Sequence, residues 1–135
     1  MNLIRSLRYR SGRDWMRLAE AALLYAFVAA ALRTVAYARV QKSLEHFTRV
    51  PCRARSSVSD VTSAISAVGR RIGGTTCLTQ AAVAYTMLRR HGHDPRIRIG
   101  VRHGDSTLEA HAWVECDGAV VIGELPEMTG YAMLG

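Results

Sequence analysis

Cysteine is scarce in this chain, and acids are scarce in its first part. The 135 residues hold three cysteines, Cys52, Cys77 and Cys116. An odd number without paired spacing argues against a disulfide framework, and nothing reads as C-x-x-C. No zinc-ligand spacing can be assembled, so neither a metal nor an organic cofactor is expected. A reducing cytoplasm is the expected compartment. Aromatic residues make up 7% and are not interleaved with the arginines, and no nucleic-acid motif occurs; both speak against nucleic acid as a partner. Long apolar runs are also missing. The uncharged apolar run of the N-terminal segment, Ala21 to Leu32, has 12 residues, where spanning a bilayer takes roughly 20. Its basic flank gives it the outline of a signal peptide, but no convincing small-residue cleavage site follows. Peripheral membrane contact is the less favoured reading of the same basic, apolar segment. There is no internal repeat and no low-complexity tract.

What is present is a folded composition with lopsided charge. Hydrophobic residues make up 49%, which argues against disorder, and the length suits one small domain. Residues 1–55 hold eleven Lys/Arg against three Asp/Glu, a balance of +8; residues 56–135 hold seven against eight, a balance of −1. The chain divides on this basis into a basic, apolar-helical segment, 1–55, and a core, 56–135. The basic segment suits an acidic peptide or partner protein.

The order of elements is helices first. Leu18 to Leu32 lies within one largely buried helix of about 20 residues. Arg49 to Arg55 is a connector, with Pro51 turning Val50 away from helix. Ser56 or Ser57 caps a second helix, with Asp60 in its first turn and Val58, Val61, Ile65 and Val68 as its apolar stripe. A third helix opens at Cys77 behind a Thr75 or Thr76 cap and ends at Gly92. Arg96 to Arg102 alternates basic and apolar residues, a strand with one buried face. Leu108 to Cys116 and Ala119 to Gly123 are two further strands, joined by the hairpin signal Asp117-Gly118. The class is α+β, helices followed by an antiparallel meander.

Cys77 and His111 carry the candidate chemistry. Helix N-termini favour the thiolate form of a cysteine, which makes Cys77 a candidate nucleophile and His111 its candidate base. With a two-residue turn, Cys116 pairs with Ala119 and His111 falls opposite Glu124, on one face and roughly 5 Å apart at Cβ. Glu124 is then the candidate orienting acid, with Asp117 as the rival claimed by the turn. Trp113 shares the His111 face and is a candidate substrate contact. Gln80, one turn from Cys77, is a candidate oxyanion donor. Each has a plain alternative: a core cysteine, a half-exposed strand histidine, a solvated glutamate, a core tryptophan, a helix-surface glutamine. Cys52 and Cys116 read as structural, and His91, His93 and His103 as solvated turn residues.

Taken together, Thr76-Cys77-Leu78-Thr79-Gln80-Ala81, Leu88 to His93, Ile97 to Val101 and Ala110-His111-Ala112-Trp113-Val114-Glu115 with Asp117-Gly118 resemble the transglutaminase-like cysteine peptidases of lasso peptide biosynthesis, the leader peptidases. The resemblance covers about residues 58–124. It implies a papain- or transglutaminase-like core with Cys77 as nucleophile, opening the central helix, and His111 as base on the sheet. It also implies removal of the leader from a ribosomally made precursor peptide before a cyclase closes the ring. The implied partners are the precursor, a separate leader-recognition protein and, as a further candidate, the cyclase. The family often carries an Asp about a dozen residues after the histidine; here Gly123 stands there, followed by Glu124. Either Glu124 substitutes or the Cys–His pair works with weaker support. Two rival readings are a transglutaminase-like acyl transferase and a non-catalytic scaffold for precursor or cyclase.

Overall fold

The structure, a computed structural model, describes residues 12–51, 55–72, 76–103, 107–123 and 132–133. Four helices precede a four-stranded sheet among these residues: α1 (Gly12–Thr34), α2 (Tyr37–Thr48), α3 (Val58–Arg71), α4 (Cys77–Arg90), β1 (Pro95–His103), β2 (Leu108–Cys116), β3 (Ala119–Ile122) and β4 (Ala132–Met133). The sheet order is β3-β2-β1-β4 with antiparallel neighbours, so the expected α+β meander is present and a two-residue strand adds to its far edge.

The alanine-rich α1 buries Ala21, Leu24, Tyr25 and Val28, a single stripe at helical spacing. It is long and apolar enough to cross a membrane by length and composition, yet that stripe is packed against α3 and α4. The expected helix ends near Arg33, but a second helix, α2, follows at once and buries Val40 and Leu44. Tyr37, Val40, Leu44 and Phe47 recur at helical spacing in its sequence, a period that the sequence reading passed over. α3 is capped by Ser57, whose side chain accepts from the Asp60 N–H at 3.1 Å. Asp60 in its first turn and Arg70 and Arg71 in its last complement the helix dipole.

α4 is the centre. It buries Thr79, Ala81, Ala82, Val83, Ala84, Thr86, Met87 and Leu88, nearly its whole circumference. α1, α2 and α3 cover it on one side, and β1, β2 and β3 on the other. Small side chains at 81, 82 and 84 allow that close packing, and burying Met87 or Leu88 stabilises the fold by about 2 kcal/mol each. The sheet meets α4 through Ile97, Ile99, Ala112, Val114 and Ile122. Its other face is polar, with Arg98 on Glu115 at 3.3 Å and Arg102 on Glu109 at 2.7 Å.

Two polar joints tie the helices together. Glu20 of α1 accepts from Arg90 and from His91 Nε2, while His91 Nδ1 accepts from the Ser56 N–H at 3.1 Å. His91 is therefore buried, 4% exposed, and not the solvated turn residue expected from its place beside Gly92. His93 likewise donates to the Ser56 carbonyl at 2.8 Å. The second joint is Tyr25, whose hydroxyl donates to the Ile65 carbonyl and accepts from Gln80. Burial pushes the Tyr25 phenol up to about 12, with the Gln80 bond pulling the other way. Gly69 of α3 lies directly beneath that hydroxyl: a Cβ there would come within 2.8 Å of it.

This contact predicts a reversal of sign. Gly69→Ala is expected to destabilise the wild-type protein, because the clash outweighs a helix-propensity gain of about 1 kcal/mol. In a Tyr25→Phe background the same substitution is expected to stabilise. Urea denaturation of the four proteins in the cycle checks this, and purely additive effects would show that the hydroxyl does not set the spacing.

Candidate active site

Cys77 is the first residue of α4. Thr76 caps the helix: its Oγ1 accepts from the Thr79 N–H at 3.1 Å and lies 2.9 Å from the Thr79 hydroxyl. The cap thus falls on Thr76 of the two expected threonines. The thiol is half-buried and packs against the core cluster, so Cys77 combines a helix N-terminus with partial access.

His111 stands in the middle of β2, opposite Gly100 of β1. Its Nε2 lies 2.6 Å from the Gly123 carbonyl, which can only accept, so Nε2 carries a proton and donates it. The ring stacks on Trp113, with centroids 6.0 Å apart and planes 21° from parallel. Trp113 is 4% exposed, and its indole N–H donates to Glu115 at 3.0 Å. That bond, helped by Arg98 and Arg96 against some desolvation, holds the Glu115 carboxyl below its ordinary value. Trp113 was expected to meet substrate; its burial makes it a wall behind the histidine instead. Gln80, expected as an oxyanion donor, is engaged by Tyr25 at the α1–α3 joint.

The expected register holds only at the turn. Asp117 (φ 54°) and Gly118 (φ 80°) make the two-residue turn, and Cys116 pairs with Ala119 and Glu115 with Val120. A β-bulge then intervenes, so Val114 pairs with Ile122 and not with Val121. The one-residue shift turns Ile122 into the core and removes the register that set Glu124 opposite His111. Glu124 itself lies outside the described residues, as does Cys52. Asp117 is in the turn, about 20 Å along the strand from His111. Cys116 is buried, and that burial raises its thiol pKa, in keeping with a structural role.

The structure packs the helix of Cys77 on the strand of His111. It does not bring the two side chains to one face. Ala112 and Val114 are the β2 residues that meet α4, and alternation sets His111 and Trp113 on the other face. Among the described residues, no hydrogen bond joins the Cys77 thiol to the His111 ring. The bond to Gly123 draws the ring toward the β3 side of the sheet. A cavity of about 580 Å³, lined by Met16, Arg17, Leu23, Pro51 and Arg90 among others, lies at the opposite end of α4. It is about 20 Å from Cys77 along the helix axis and belongs to neither residue.

The family model of the transglutaminase-like superfamily matches residues 21–134. The chain belongs to this superfamily. The match begins inside α1 and crosses the boundary drawn at residue 55 from charge, in keeping with Ala21, Leu24, Tyr25 and Val28 of α1 being part of the core. Searches of curated proteins and of solved structures returned no match. The superfamily usually contains cysteine-based enzymes, so membership points to cysteine peptidase or acyl-transfer chemistry. Among the described residues, the Gly123 carbonyl on His111 is a contact the sequence did not expose, because a backbone carbonyl has no side-chain signature and the bulge beside it is set by packing.

The Thr76 cap predicts a measurable cost. Thr76→Ala is expected to lower stability by about 1 kcal/mol, and thiol labelling of Cys77 is expected to change with it as the first turn frays. An unchanged urea midpoint would show that the cap contributes nothing.

Proposed function

We propose that this protein is a cysteine peptidase that removes the leader from a ribosomally made lasso precursor peptide, in the cytoplasm and before macrocyclisation. Superfamily membership supports the chemistry, and the likeness of the Cys77 and His111 segments to the leader peptidases supports the substrate. The observation that carries the reading is the His111 Nε2–H bond to the Gly123 carbonyl, which orients the ring; in the proposed reaction Nδ1 is its basic nitrogen.

In the proposed reaction Nδ1 accepts the thiol proton as Cys77 Sγ bonds to the scissile carbonyl carbon. The Cys77 backbone N–H helps to hold the oxyanion. The C–N bond breaks, and the proton on Nδ1 goes to the leaving amine. Water, giving a proton to His111, then displaces the thiol and frees the leader's carboxylate. The basic N-terminal part suits an acidic leader or partner.

In a second reading the chain is a non-catalytic scaffold that binds precursor or cyclase; no hydrogen bond joins Cys77 to His111 among the described residues. An acyl transferase would share the acyl-enzyme and end on an amine, which product mass distinguishes.

Mass spectrometry of a precursor peptide incubated with the protein, with and without a recognition partner, tests the proposal. Cleavage at the leader–core junction is expected, faster with the partner and lower by roughly 10⁴-fold or more in Cys77→Ala. Cleavage retained in Cys77→Ala would sink the assignment.

A further inference from the structure

We propose that the outer face of α1, with the cavity at its N-terminal end, is a docking site for an acidic amphipathic helix of a partner protein. The surface lies about 20 Å from Cys77 along α4 and is independent of the peptidase reading.

α1 carries two apolar faces. Ala21, Leu24, Tyr25 and Val28 enter the core. Met16, Ala19, Leu23, Ala26 and Ala30 recur at three- and four-residue spacing on another face, and all five are exposed. Met16 and Leu23 are each 72% exposed, so the chain's own core does not cover them. The stripe holds no charge and runs roughly 21 Å, about four turns of a second helix. Its alanines let a partner backbone come close.

The cavity of about 580 Å³ gives the stripe an anchor point. Met16, Ala19 and Leu23 line it, together with Arg13, Pro51 and Arg90 among others. A concave, largely apolar wall takes an inserted leucine or phenylalanine side chain, as the central anchors of protein interfaces do. A bilayer meets a protein as a broad surface and would leave the hollow unfilled, which favours a protein over a membrane.

Charge sets the sign of the partner. Arg13, Arg17 and Arg90 stand at the cavity with one acid, Glu20. Arg17 is engaged by Asp14 and Ser56, and Arg90 by Glu20. Arg13 is exposed, and among the described residues no carboxylate pairs with it. Arg33, also exposed, stands beyond the other end of the stripe. A second copy laid on this face would oppose arginine to arginine in either direction, with a net charge of +7 on each chain. Carboxylates flanking an apolar stripe are the complement.

Fluorescence anisotropy of the full chain with a labelled peptide of about 18 residues, leucines at helical spacing and glutamates elsewhere, tests this. Saturable binding below about 100 μM is expected, weakened about tenfold or more in Leu23→Asp and several-fold in Arg13→Glu, the second effect shrinking as salt rises. The same peptide with lysines for its glutamates is expected to bind about tenfold more weakly. Equal binding of the two peptides, or unchanged binding in Leu23→Asp, overturns the proposal. Acrylamide quenching reads the wild-type protein without any variant. Of the two tryptophans, Trp113 is 4% exposed and Trp15, beside Met16, is 48% exposed, so the acidic peptide is expected to shield Trp15. Unaltered quenching overturns the proposal, and decides it if the variants do not fold. Tighter Leu23-dependent binding to phosphatidylserine vesicles than to the peptide makes the face a membrane contact, and a dimer dissolved by Leu23→Asp makes it a self-interface; either result overturns it.

Discussion

Everything in this fold depends on the burial of one helix. α4 is enclosed by α1, α2 and α3 on one side and by the sheet on the other, and only its two ends reach other surroundings. Near-complete enclosure demands small side chains where neighbours approach, which Ala81, Ala82 and Ala84 supply, and satisfied polar groups where they do not. Thr86 returns its hydroxyl to the Ala82 carbonyl at 2.9 Å, and Thr79 meets the Thr76 cap. The ends then have distinct tasks. The N-terminal end presents Cys77, and the C-terminal end is locked through Arg90 and His91 to Glu20 of α1.

The sheet shows how one extra residue changes a site. Without the bulge, alternation would have put Val121 opposite Val114 and carried the next acid to His111. With it, Ile122 enters the core and Gly123 turns its carbonyl onto the histidine. Burial of the isoleucine is favourable by about 2 kcal/mol. A consequence of packing is read out as chemistry two residues away.

The position of His111 relative to Cys77 sets the character of the site. Packed elements bring the helix and the strand together, while the faces of β2 keep the side chains apart. Cys77 sits half-buried beside the core, and among the described residues no hydrogen bond joins it to His111.

Local chemistry made much of this legible from the residues alone. The caps at Ser57 and Thr76, the helix stop at Gly92 with φ +86°, the Asp117-Gly118 turn and the alternation of β1 all follow from short-range rules about donors, dihedrals and period. The order of helices and strands follows with them, and so do Cys77 at the head of the central helix and His111 on a strand packed against that helix. Helix α2 was legible in the spacing of Tyr37, Val40, Leu44 and Phe47, and was missed. The buried state of His91, the engagement of Gln80 by Tyr25 and the enclosure of Trp113 depend on partners 35 or more residues away or on the other side of a sheet. The bulge is of the same kind: two residues beyond a correctly read turn, competition for the core shifted the register. Sequence determined which groups the protein has for its chemistry and which elements carry them. Tertiary structure alone decided their faces and their partners, because those are fixed by which side chains the core accepts.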